Sequence, residues 1–301
     1  MKFLKEDTKK NKGTSQSPIL QAVHEKNVET LNTNITLGFD VNICYSNSMP
    51  ALFEACESSE MLEVFLNQPN IDVNIKNKNG STALIYSCAK GLTHAVLRLC
   101  QDPRVSVNHT NKKGRSALMI AVSHNKPECV RILKTIPSVM WNLKDNDGRS
   151  ALKLAVKFGR ADCLEILLKV PGIDLSIISK RGRNIAQSLV ENLDYIRTIK
   201  YGCLFEHDHF RCLELLSKDP RIDWNAKNKS RFTAREFLWN RTDLTFSKKE
   251  RLKIMENIST AARNAARNPT SDVPAPKWPL STAKKGFSNN LEVFLRHIVI
   301  G

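Results

Sequence analysis

Long apolar runs are missing from this chain of 301 residues: none approaches the ~18 consecutive apolar side chains that a membrane-crossing helix requires. Glycine and proline are scarce, at 12 each, which excludes collagen-like and low-complexity character. The opening Met1-Lys2-Phe3-Leu4-Lys5-Glu6-Asp7 turns polar before the apolar core of a secretion signal can form, so the expected setting is cytoplasmic or nuclear. No Walker-type phosphate loop, dinucleotide glycine fingerprint, H-E-x-x-H or C-x-x-C pair occurs, and nothing orients a cysteine or histidine as a nucleophile. The expectation is therefore no enzyme and no cofactor. With 41% hydrophobic and 25% charged residues, the chain still has the balance of a folded protein.

Acids are the minority charge, 30 against 46 Lys and Arg, for a formal net charge of +16. Residues 1–16 hold five lysines against two acids, and residues 241–301 hold eleven bases against five acids, so the excess lies in the body as well as the ends. Such a surface expects an acidic partner, whether protein, nucleic acid or anionic membrane surface, and charge alone does not choose. The eight cysteines show no dense spacing, and most fall in helix-like apolar segments where a reduced thiol serves as a small hydrophobe.

The informative feature is a period. Gly80, Gly114, Gly148 and Gly182 are 34 residues apart, as are Pro69, Pro103, Pro137 and Pro171. Each proline opens a similar segment (PNIDVN, PRVSVN, PSVMWN, PGIDLS), and a fifth, PRIDWN, begins at Pro220. Leu84, Leu118 and Leu152 follow the glycines by four, and Leu99, Leu133 and Leu167 recur later in the unit. A fixed period of this length marks stacked supersecondary units.

The segments NKNGSTALIYSCAKG, NKKGRSALMIAVSHN and DNDGRSALKLAVKFG resemble the ankyrin repeat, a polar Gly turn followed by Thr-Pro-Leu-His, an Ala and a second helix. The matches are Thr82-Ala83-Leu84, Ser116-Ala117-Leu118 and Ser150-Ala151-Leu152, with Ser17-Pro18-Ile19 opening an earlier unit that ends Gly38-Phe39-Asp40-Val41-Asn42. The resemblance implies an all-α solenoid of helix-turn-helix units with hairpin-like finger loops. It places a disordered basic arm over 1–13, repeats over 14–240 (about six units and a terminal half-unit), and a basic segment over 241–301. That last segment holds a helix over about 247–268, opened by the capping box Ser247 to Glu250, and a proline-containing tail.

Local chemistry agrees. A Ser or Thr hydroxyl caps the first helix of a unit, and Gly in the finger turn permits positive φ. Gly91, Asn125 and Gly159 are placed to end the first helix in the left-handed conformation. Second helices are apolar at helical spacing, as in Leu164, Leu167 and Leu168, and bury that stripe only when units stack. Departures are also visible. Pro50 and Ser48 stand where the second unit expects Thr and Gly, and Arg231 stands where the last expects Gly. Gly182 to Arg231 is about 15 residues too long, which places an insertion within 192–206. The motif histidine is missing from every unit, removing a bond that ties neighbouring fingers. In the C-terminal helix, Leu252, Met255, Ile258, Ala262 and Ala265 form the expected apolar stripe, read as a cap on the last repeat.

The resemblance implies a protein partner held along the fingers and the ends of the inner helices, the concave face. Arg115, Arg149 and Arg183 follow three successive turn glycines and form an expected ladder suited to carboxylate or phosphate. Lys112, Lys113, Lys180 and Arg181 flank it, and Phe158 is an aromatic at an inner-helix end. These eight are the candidate contact residues of an adaptor, scaffold or inhibitor. A nucleic-acid or other polyanion binder is the alternative, disfavoured by few interleaved aromatics, and a ubiquitin-ligase or signalling adaptor is a third reading. Trp141 and Trp224 take the place of Val73 and Val107 and are expected in the loop core. Cys203, His207, His209 and Cys212 have zinc-ligand chemistry, but Cys212 aligns with the packing positions Ala95, Cys129 and Cys163, so packing is favoured over a metal.

Overall fold

The computed structural model describes residues 17–176, 184–189, 206–228, 231, 233, 234, 236 and 248–267. The basic arm over 1–13, the inserted residues up to 205 and the proline-containing tail lie outside them.

Helices come in pairs. The first five pairs are α1 (Pro18–His24) with α2 (Val28–Thr36), α3 (Ala51–Ala55) with α4 (Ser59–Leu66), α5 (Ala83–Lys90) with α6 (Thr93–Gln101), α7 (Ala117–Ser123) with α8 (Pro127–Lys134), and α9 (Ala151–Lys157) with α10 (Ala161–Leu168). A helical turn over 185–189 precedes α11 (Glu206–Ser217), and α12 (Lys248–Arg267) follows. First helices pack on first helices from α1 to α9, and second helices on second helices from α2 through α11 to α12. This is the all-α ankyrin solenoid that the 34-residue period predicts.

Ser116 and Ser150 cap α7 and α9, each accepting from the backbone N–H three residues on, whereas Ser17 and Thr82 stand at the cap positions of α1 and α5 without that side-chain bond. Loss of such a cap costs ~1 kcal/mol. Between paired helices the backbone turns left-handed at Gly91, Asn125 and Gly159, and also at Lys26 in the first unit. In the fingers positive φ occurs at Gly80, Gly114 and Gly148, and at Ser48 and Arg231, the two residues that replace glycine. The demand thus belongs to the turn, and a non-glycine residue meets it where the flanking helices hold the loop. Isolated antiparallel bridges, Cys44 with Pro50, Thr110 with Ser116 and Lys227 with Thr233, make these fingers hairpin-like.

The core forms between units. Leu84, Leu118, Leu152, Leu99, Leu133 and Leu167 are all buried, and Trp224 is buried in the loop core while Trp141 packs against it half-exposed. Cys56, Cys88, Cys129, Cys163 and Cys212 are buried thiols. Burial pushes the Cys56 and Cys163 thiols up to about 12, which leaves them protonated and inert.

A second frame holds the units in register. Asn42, Asn74, Asn108 and Asn142 each donate to one backbone carbonyl of the following loop (Asn70, Arg104, Ser138 and Gly172; 2.7–2.9 Å). Each also accepts from a backbone N–H two residues further along (Asp72, Ser106, Met140 and Asp174; 2.8–2.9 Å). Where Ser176 ends this series, Asn184 and Gln187 donate instead to the carbonyls of Asp223 and Ala226, at 2.8 and 2.7 Å.

At the C-terminal end α12 lies against α11. Its buried face is Ile254, Ile258 and Ala261 with Met255 packed half-buried beside them, so Met255 and Ile258 of the expected stripe face the core while Leu252, 36% exposed, does not. Asn257 Nδ2 donates to Ser217 Oγ at 3.3 Å, and Lys253 pairs with Glu214 at 3.2 Å.

Candidate partner-binding surface

Three successive fingers each turn around one side chain that accepts two backbone N–H groups. Asn77 Oδ1 accepts from Asn79 and Ser81, Asn111 Oδ1 from Lys113 and Arg115, and Asp145 Oδ1 from Asp147 and Arg149, all at 2.9–3.1 Å. Neighbouring fingers are tied through the main chain, Lys112 N to Asn79 O at 3.0 Å and Asn146 N to Lys113 O at 3.1 Å. His109 Nε2 lies 2.9 Å from the Gly80 carbonyl, and Asn146 Nδ2 donates to the Lys112 carbonyl at 2.9 Å. These contacts supply the cross-finger tie that the absent motif histidine would otherwise make.

The fifth finger differs by its carboxylate. Asp145 is fully covered by its surroundings, and its second oxygen receives Arg149 Nη2 at 2.9 Å and Arg115 Nε at 3.4 Å. Burial pushes the Asp145 carboxyl upward, but hydrogen bonds from Arg149 outweigh it and leave the group below its usual range. Arg149 also contacts Asp147. Both arginine side chains are only 18% exposed. Arg115 and Arg149 therefore converge on an internal acid and do not stand out as an open ladder. Arg183, Lys180 and Arg181 lie outside the described residues.

Lysines carry the exposed charge of this edge. Lys76, Lys78, Lys112, Lys113 and Lys144 are exposed, and none forms an ion pair among the described residues. Phe158 is half-buried against the core, with the Lys157 ammonium 5.5 Å from its ring centroid. Its ring is thus part packing element, part platform for a cation.

In the loops that follow second helices, two Asp-Pro-Arg segments repeat one device. Arg104 pairs with Asp102 at 2.7 Å and donates to the Leu66 carbonyl at 2.7 Å; Arg221 pairs with Asp219 at 2.7 Å and donates to the Leu168 carbonyl at 2.8 Å. Each guanidinium thereby caps the C-terminal carbonyls of an outer helix in the preceding unit. The hydrogen bond from Arg104 holds the Asp102 carboxyl below its ordinary value.

Of the four residues with metal-ligand chemistry, Cys203 lies outside the described residues, as does the His207 side chain. Cys212 is fully buried in the repeat core. His209 is buried against Gly159, with Nε2 3.4 Å from the Lys157 carbonyl. Among the described residues no group of three or more His, Cys, Asp or Glu is placed to hold an ion, and no helix is long and apolar enough to cross a membrane.

The candidate residues outside the sequence expectation are Lys76, Lys78, Lys144 and Lys153, and the signal for the last two was available in the period. Lys153 occupies the histidine place of Ser150-Ala151-Leu152-Lys153, where the units before it carry Ile85 and Met119.

Comparison with known proteins matches this geometry. The family model described as ankyrin repeats in three copies matches residues 19–111 and 93–179. Among solved structures the chain is similar to the ankyrin repeat domain of Bcl-3, described as a unique member of the IkappaB protein family. That likeness has 17% identity, covers 80% of this chain and 99% of the other, and has a TM-score of 0.61. It is also similar to the ankyrin repeat protein EF0377, at 18% identity over 63% of this chain and 100% of the other, with a TM-score of 0.53. At these identities the likeness is one of fold. No curated protein sequence matches the chain. The family model spans more than half of the residues, and the paired helices, left-handed turns and finger loops follow its period: the chain belongs to the ankyrin-repeat family.

Proposed function

We propose that this chain is a non-catalytic protein-binding module, an adaptor, scaffold or inhibitor that holds an acidic partner surface along its fingers and inner-helix ends. Ankyrin repeats generally serve protein interaction, and no cluster of catalytic chemistry competes with that reading among the described residues. The observation that carries it is the row Lys76, Lys78, Lys112, Lys113 and Lys144, exposed and without an ion pair among the described residues. Long lysine stems on a backbone-locked edge cost the fold little and meet carboxylates without prior desolvation. Arg115 and Arg149 contribute by bracing that edge through Asp145.

The test is affinity capture with the full chain and with its Lys112→Glu/Lys113→Glu variant. Loss of the captured protein with unchanged thermal unfolding supports the reading; undiminished capture sinks it. A nucleic acid as the principal captured species, with affinity falling steeply with salt, would assign the same edge to phosphate instead.

A further inference from the structure

The cationic residues of the fifth unit do not stop at its finger. Lys153 and Lys157 are spaced by four on one side of α9, about 6 Å apart, and Arg149 stands in the finger just before the extended Ser150 cap. Lys144 joins them from the start of the finger, with its side chain exposed. At the position of Lys153 the two preceding units bury Ile85 and Met119, exposed by 3% and 1%, and the following unit buries Gln187, which spends its amide on the Ala226 carbonyl. Lys153 thus puts an ammonium into a slot that its neighbours fill with neutral groups.

That ammonium is half-buried and has no ion-pair or hydrogen-bond partner among the described residues. Burial, then the like charges of Arg149, Lys144 and Lys157, hold it below the ordinary lysine value, with Asp145 alone opposing them. The nearby acids are engaged: Asp145 by Arg115 and Arg149, Asp147 by Arg149. From Leu175 to Val190 the sequence contains no acid and three bases, so the next finger brings no carboxylate of its own. A cation is desolvated and surrounded by like charge, an arrangement that destabilises the free protein and that a bound anion relieves.

Resting on the reading of this side as the partner-binding one, we infer that Lys153 and Lys157, with Lys144, form a subsite for a short extended acidic peptide segment carrying carboxylates at alternate residues. Alternate residues of an extended chain lie about 6.6 Å apart, close to the one-turn spacing of Lys153 and Lys157. Lys153 is the specificity element, because it is the part-buried cation of the set, Lys144 and Lys157 being exposed, and it gains most from a carboxylate placed on it. The adjacent Phe158 ring, with Lys157 above it, offers one apolar contact rather than a series of stacking platforms, which favours peptide over single-stranded nucleic acid.

The experiment is a fluorescence-anisotropy titration of the full chain with a labelled peptide carrying glutamate at three alternate positions. Its controls are the same peptide with glutamine and a single-stranded oligonucleotide of equal charge. The protein variants are Lys153→Met, the residue of the preceding unit, Lys153→Gln, the residue of the following one, and Lys157→Ser. The expected result is binding that the glutamine peptide lacks, weakened about tenfold by Lys153→Met or Lys153→Gln and less by Lys157→Ser. Lys153→Met is also expected to unfold at a higher temperature, since it restores the neutral slot. Unchanged peptide binding in whichever Lys153 variant folds, no binding by the parent chain, or an oligonucleotide that binds as tightly as the peptide would each overturn the inference. Capture of the natural partner that survives Lys153→Met yet is lost in Lys112→Glu/Lys113→Glu would overturn this subsite and leave the broader reading standing.

Discussion

The fourth and fifth fingers share one frame and differ in one functional group. Asn111 and Asp145 sit at the same place in the turn, and each gives one oxygen to the same two backbone N–H groups. Only the aspartate has a second oxygen with a charge to share, and it gathers Arg149 from its own finger and Arg115 from the finger before. A single carboxylate therefore converts two arginines with the positions of surface contacts into internal braces, and leaves the lysines as the exposed charge.

The largest expected effect comes from removing that carboxylate. Asp145→Ala deletes the turn acceptor and strands two partly covered guanidinium groups, and should cost about 3 kcal/mol of unfolding free energy in chemical denaturation. Asp145→Asn turns the fifth finger into a copy of the fourth; it keeps the turn and should cost about 1–2 kcal/mol. An Asp145→Asn chain as stable as the parent would show that the turn bonds, not the arginine pairs, carry this side chain's contribution, and equal losses for the two substitutions would show the reverse. Asn142→Ala, which breaks both links to the next loop, should cost about 1–2 kcal/mol.

A smaller effect is in acid. The folded-state values of Asp145 and Asp102 are depressed, so each contributes stability that is fully present above the unfolded carboxyl value of about 4 and is lost as pH falls through the folded value. Unfolding free energy should therefore decline below about pH 4, and Asp145→Asn should make that decline shallower. A slope identical to that of the parent chain would place the acid sensitivity elsewhere. The smallest effect belongs to the exposed edge: Lys112→Glu/Lys113→Glu should change stability by no more than about 0.5 kcal/mol, measured in the same denaturation series.

The solenoid was legible because its determinants are local and repeated. The left-handed turns at Asn125 and Gly159, and the positive φ at Ser48 and Arg231 where glycine is absent, follow from position in the period alone. The cap at Thr82 was less so, since a hydroxyl at the right place need not turn toward the helix. The face of α12 was misplaced around Leu252 because the register of a terminal helix is set by the one neighbour it meets, here α11. The fate of the arginines depended on an acid 30 residues beyond Arg115, a distance that spacing within a single unit does not reveal. Two signals were nonetheless present in the alignment of the units: an aspartate where Asn77 and Asn111 precede it, and a lysine where Ile85 and Met119 precede it.

The asparagine series has a consequence for how such a molecule changes over generations. Asn42, Asn74, Asn108 and Asn142 grip carbonyls and amides of the next segment and ignore its side chains. A coupling that reads only the peptide backbone makes the segments interchangeable: one can be duplicated, or replaced by a diverged copy, without refitting the junction. The recognition residues are then at liberty to drift toward new ligands while the architecture beneath them stays put.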